Sequence, residues 1–191
     1  ISNCMGDIGS HCENLLHYIT GLEIKEVCAD LNSISDCPLD NDGNVLIHLE
    51  NRIRGILHAS QISTGEENNL NIRVYGTDGA IEWHQEEPNT LWFKANGEPA
   101  KLYKRGNDYL CEFANHATRL PAGHPESFIE AFANIYVNVA NTIKAKMLGE
   151  KPTKFDLDFP TVIDGARGLA FIESIIESAK SDKKWYKVKK Y

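Results

Sequence analysis

The sequence predicts an α+β domain built on antiparallel strands, and three observations carry that prediction. Apolar residues recur at helical spacing near the start of the chain and again over its last third. Between those stretches they alternate with a period of two. The strand-like segments there follow one another through short turns, with no helix between them as a βαβ unit would require. A chain of 191 residues can build one domain with a sizeable core, so residues 1–191 are read as a single domain.

The elements follow in order. A helix is predicted over about 6–19, with Leu15, Leu16 and Ile19 as its apolar stripe and Gly21 ending it. Residues 24–31 read as a strand, and the turn-rich segment 38–43 leads to strands over 45–49 and 53–59, a hairpin about Asn51-Arg52. A clearer hairpin joins 71–75 to 80–83 about Asp78-Gly79, a dipeptide suited to positive φ. Strands over 90–94 and 101–104 surround Asn96-Gly97 and complete a meander. Ile72 and Val74 alternate with Arg73 and Tyr75, which implies a sheet with two unlike faces. A long amphipathic helix then opens with Pro125 in its first turn and carries Phe128, Phe132, Ile135, Val139 and Ile143 toward Gly149. A last helix covers 161–179, its apolar stripe Val162, Ala166, Leu169, Ile172, Ile175 and Ile176. The Lys-rich tail 180–191, interleaved with Trp185, Tyr186 and Val188, suits an edge strand protected by charge, and a solvated terminus is the plainer alternative.

Composition excludes several classes. A net charge of -7 argues against nucleic acid or an anionic membrane as the main partner. No apolar run approaches the roughly 20 residues that span a bilayer, and no signal peptide is visible. Five cysteines, an odd number without a CxxC pair, fit reduced thiols in a cytoplasmic protein. The chain starts at Ile1 without a start methionine, which leads us to expect a piece of a longer protein. It contains no GxSxG elbow, no P-loop and no GxGxxG fingerprint, so no dinucleotide site of its own is expected. With no HExxH and no acidic Ca²⁺ loop, no metal is expected either, although His11, His124 and Asp7 are ligand types.

The residues that could carry chemistry lie mainly in the first helix. Asp7, His11 and Asn14 stand at i, i+4 and i+7 and share one helical face. An imidazole with a carboxylate one turn behind it can move a proton near neutral pH. An ordinary exposed i,i+4 pair is the plain alternative. Gly6 and Gly9 weigh against it, because both are poor helix formers that allow close approach of backbone or ligand. Asn14 adds a donor and an acceptor suited to a hydroxylated ligand. His124, in the loop before the long helix, is a sugar-hydroxyl partner or a loop cap, while Glu126 is explained by helix electrostatics alone. Cys4 and Cys12 flank the reactive face but read as small buried thiols.

The run Gly6-Asp7-Ile8-Gly9-Ser10-His11-Cys12-Glu13-Asn14 resembles the D-x-G-x-H-x-x-[D/N] segment of the glucose–fructose oxidoreductase/inositol dehydrogenase (Gfo/Idh/MocA) family. The segments 70–83 and 123–132 are similar to that family too, in the same order. The resemblance implies a C-terminal domain with an open, mainly antiparallel sheet and helices on one face, of the dihydrodipicolinate-reductase-like kind. It also implies an N-terminal Rossmann domain, absent from this chain, that binds NAD or NADP and carries the catalytic lysine. By the resemblance His11 is the acid/base, Asp7 its companion and Asn14 a substrate contact, with His124 extrapolated to the same pocket. The expected activity is oxidation of a sugar, polyol or related cyclic alcohol, in which a base takes the hydroxyl proton as hydride leaves carbon. This chain alone is expected to be inactive and to bind no cofactor tightly. Two alternatives stand beside it: a non-catalytic carbohydrate-binding or scaffolding module, and a family member that recycles NAD during hydrolysis or elimination. A dimer or tetramer is expected through the sheet face, near Trp83, Trp92 and Tyr103.

Overall fold

The computed structural model describes residues 2–34 and 36–191. They form two compact units, Ile1–Glu66 with Pro160–Tyr191, and Glu67–Phe159. The α+β class holds, and the antiparallel strands divide between a four-stranded sheet in each unit.

In the first unit a five-residue π-helical turn, Met5–Gly9, leads into α1 (Ser10–Thr20), which Gly21 ends with φ 66°. The sheet orders its strands β3-β2-β1-β8, with β1 Ile24–Asn32, β2 Asp42–Leu49, β3 Arg54–Ser60 and β8 Tyr186–Lys187. Alternation in β2 buries Gly43, Val45, Ile47 and Leu49 and turns Asn44 and Leu46 outward, which is the period a half-covered sheet demands. The β2–β3 turn places both Asn51 and Arg52 at positive φ, 54° and 64°, the backbone that matches the twist of a tight hairpin. The Lys-rich tail does form an edge strand: β8 pairs Tyr186 with Val27 and Lys187 with Glu26.

Helix α4 (Val162–Ala179) packs on β1 and α1. Its Phe171, Ile172 and Ile175 join Val27, Val45, Ile47, Leu57 and the fully buried Cys4 and Met5 in the core. The apolar stripe expected for this helix is corrected at two positions, because Val162 and Leu169 are 83% and 61% exposed. The inner face instead includes Ser174 and Ser178. Ser174 Oγ accepts the Lys189 N–H at 2.9 Å and Ser178 Oγ accepts the Ala29 N–H at 3.1 Å. These hydroxyls are buried because they pair backbone groups in β1 and just beyond β8.

In the second unit β4 (Asn71–Tyr75), β5 (Gly79–His84), β6 (Thr90–Ala95) and β7 (Lys101–Lys104) form the meander in sequence order. The first hairpin turns at Thr77-Asp78, closed by the Gly76 N–H to the Gly79 carbonyl at 2.8 Å. Gly79 is therefore a strand residue, without positive φ. Its glycine is required by proximity: a Cβ there would stand 2.7 Å from the Lys94 carbonyl oxygen. Register separates the aromatics that the sequence grouped. Ile72 pairs with Trp83, Val74 with Ile81, Ile81 with Phe93 and Leu91 with Tyr103, all on one face. Trp92 stands opposite Glu82 and Leu102, on the other face.

A short helix, α2 (Glu112–Ala117), precedes the long α3 (Phe128–Met147). Pro125 lies outside α3, whose start is fixed by a capping box between Ser127 and Glu130. The buried residues of α3 are Asn138 and Thr142, which donate to the carbonyls of Asp158 at 3.0 Å and Asp156 at 2.7 Å. The apolar stripe expected for this helix is corrected, because Phe128, Ile129, Phe132, Ile135, Tyr136 and Ile143 are exposed and only Val139 is half-buried.

Candidate active site

The segment before α1 is held from outside the helix. Asp40 accepts the backbone N–H of Asn3 at 3.0 Å and of Met5 at 2.8 Å, and the Ser2 hydroxyl at 2.8 Å. Burial pushes its carboxyl upward, yet these hydrogen bonds outweigh burial and hold it below the ordinary carboxylate value. Anchoring Met5 in the core fixes the π-helical turn, a kind of irregularity that often accompanies functional sites.

Asp7 lies in that turn, and its Oδ2 accepts a hydrogen bond from Gln61 Nε2 at 3.3 Å. Among the described residues it makes no ion pair with His11. His11 and Asn14 are exposed on α1 and line one cleft of about 450 Å³, whose opposite wall is the first turns of α4, with Thr161, Gly165 and Gly168. That volume suits a small ligand. The structure thus brings His11 and Asn14 together and leaves Asp7 outside the lining. Burial, with Asp40 and Asp42 nearby, pushes the Cys4 thiol up to about 11, and burial raises Cys12. Neither supplies a thiolate near neutral pH.

Beneath the cleft lies a charged cluster that is only partly legible in the sequence. Glu13, only 3% exposed, pairs through Oε1 with Arg167 Nε at 3.0 Å. Arg167 Nη2 donates to Asp164 Oδ1 at 2.9 Å, and Asp164 Oδ2 accepts both the N–H and the hydroxyl of Thr161, at 2.6 and 2.7 Å. Hydrogen bonds from Thr161, then from Arg167, hold the Asp164 carboxyl down at about 2. Burial raises Glu13 against the pull of Arg167. The Thr161-x-x-Asp164 spacing is a legible capping signal. The Glu13–Arg167 pair, 154 positions apart, is not.

In the second unit His124 is exposed, and its carbonyl oxygen is taken by Arg105. Glu126 corrects the reading from helix electrostatics: it precedes α3 and is buried. Its Oε1 accepts Arg105 Nη1 at 3.0 Å and the backbone N–H groups of Arg119 and Leu120. Asn89 completes the support, with Oδ1 accepting Arg105 Nε at 2.8 Å and the Glu126 N–H at 3.0 Å. Loop 119–126 is therefore shaped by a buried ion pair with backbone hydrogen bonds around it.

Among the described residues no helix is long and apolar enough to cross a membrane, and no group of three His, Cys, Asp or Glu side chains is placed to hold a metal ion.

An α+β domain whose first helix carries His11 and Asn14 into a cleft has counterparts among known proteins. Residues 2–82 match the model of the GFO/IDH/MocA C-terminal domain. It is 34% identical over 188 residues to the uncharacterized oxidoreductase YfiI of Bacillus subtilis, a match that covers 97% of this chain and 48% of that protein. The crystal structure of an oxidoreductase from Sinorhizobium meliloti superposes with a TM-score of 0.89 at 39% identity, over 95% of this chain and 51% of that one. An inositol dehydrogenase homologue from Azotobacter vinelandii, solved with NADH and myo-inositol, matches with a TM-score of 0.88 at 29% identity, over 96% of this chain and 49% of that one. The chain thus spans about half the length of the relatives it matches.

Proposed function

We propose that this chain is the substrate-binding domain of an NAD(P)-dependent oxidoreductase that oxidises a CH–OH group of a sugar, polyol or related cyclic alcohol. The observation that carries the reading is the placement of His11 and Asn14 in one cleft, in a domain similar to that of a protein solved with NADH and myo-inositol. His11 takes the hydroxyl proton, and Asn14 holds a neighbouring hydroxyl with its amide. Asp7, held by Gln61, contributes negative charge on the same helix. The nicotinamide cofactor supplies the hydride acceptor when bound. This sequence has no GxGxxG loop to cradle its phosphates, so a Rossmann domain outside the chain holds it in this proposal. His124 belongs to the substrate-binding set as an extrapolation from its loop.

The same proposal includes self-association as a dimer or tetramer through the β4–β7 sheet. The face bearing Trp83 and Tyr103 is apolar and only half-buried, and the buried residues of that unit, Glu126, Asn138 and Thr142, are polar. The five free cysteines support a cytoplasmic setting.

The direct test is net reduction of NAD or NADP by the full-length protein across a panel of polyols and sugars, followed by absorbance. Steady cofactor reduction is expected. Product formation without net reduction favours the hydrolase or lyase alternative, and tight stoichiometric NADH binding by this chain alone contradicts the division of labour.

A further inference from the structure

We infer that the α1–α4 cleft grips a ligand hydroxyl on Glu13, with Gly165 and Gly168 leaving the space that the ligand fills. The inference rests on reading this cleft as the polyol site, and it adds residues that the family resemblance does not assign. The first observation is an orphaned acceptor. Glu13 lines the cleft with His11 and Asn14, and its Oε1 is engaged by Arg167. Its Oε2 is buried and, among the described residues, has no hydrogen-bond partner. A buried acceptor left unmade is costly, and the hydrogen bonds around it are directed elsewhere. Arg167 directs Nε to the other Glu13 oxygen and Nη2 to Asp164, while Thr161 donates both its groups to Asp164.

The second observation is independent. Gly165 and Gly168 lie inside α4, where glycine is less stable than alanine. Neither has positive φ. A Cβ on Gly165 would meet nothing within 4 Å, and one on Gly168 would meet only Glu13 Oε2, at an ordinary 3.6 Å. Neither backbone conformation nor packing within the chain requires these glycines, yet both line the cleft, and Gly168 is the point at which a side chain would come against the buried Oε2. The charges of Glu13, Asp164 and Arg167 sum to one negative, so the site suits a neutral hydroxyl donor and repels an anion. A polyol fits: one hydroxyl donates to Oε2, while Asn14 and His11 meet others.

The test is calorimetric titration of myo-inositol into the full-length protein and its Gly168→Ala and Gly165→Ala variants, with melting temperatures measured in parallel. Each methyl is expected to weaken binding at least tenfold. Each is also expected to raise the melting temperature by roughly 2–4 °C, because alanine suits a helix better. Wild-type binding with an affinity within twofold in either variant overturns the inference and leaves the polyol reading intact. A lowered melting temperature shows the glycines to be structural and overturns it as well. Absence of binding by the wild-type protein to myo-inositol and to every other member of the polyol and sugar panel removes the polyol reading itself.

Discussion

His11 and Asn14 lie on the same helix, and Asp40 holds the segment that leads into it. A carboxylate that caps three backbone or hydroxyl donors is worth about 1–2 kcal/mol, so Asp40→Ala should lower unfolding free energy by that amount in urea. Asp40 and Asp164 both have folded carboxyls held below their ordinary value of 3.8, Asp164 at about 2. A depressed carboxyl stabilises the fold above its unfolded pKa, and that stabilisation fades as pH falls through the folded one. Urea midpoints should therefore decline as pH drops from about 4 toward about 2, and Asp164→Asn should flatten that decline. Much of the residue-level site was legible, because His11 and Asn14 follow from helical spacing. Asp40 and Glu126 were not, since each acts by accepting backbone N–H groups that only the folded chain brings to it.

The helices α1 and α4 are joined by a buried charge as well as by apolar packing. Removing one partner of such a pair strands the other, at a cost of about 3–5 kcal/mol. Arg167→Met should lose about that much, whereas the joint Glu13→Leu/Arg167→Met variant should recover most of it; a double variant no more stable than the single would refute the pairing. At this scale the sequence reading succeeded wherever a local rule decides the outcome. Gly21 ends α1, charge on the tail marks an edge strand, and strand alternation finds the meander. It failed where tertiary demands override pattern. The inner face of α4 carries Ser174 and Ser178 because strand-edge backbone groups need partners, and the Asp78-Gly79 signal was displaced by one residue because Gly79 must admit the Lys94 carbonyl.

The two units differ in how they are stabilised. The first has an apolar core built from its sheet and α4, whereas the buried residues of the second are polar. Its sheet face with Ile72, Ile81, Trp83, Phe93 and Tyr103 would be covered on self-association. Sedimentation of the full-length protein should show a dimer or tetramer at micromolar concentration. Trp83→Glu should shift it toward monomer and Trp92→Glu, on the opposite face, should not. Equal effects of the two substitutions would reject that face as the interface.

The proton-transfer role of His11 is tested most directly by turnover of the full-length protein and its His11→Ala variant under saturating substrate and cofactor. A general acid–base group contributes about 10²–10⁴-fold, so kcat should fall by that factor with the fold intact. Unchanged turnover would remove His11 from the chemistry.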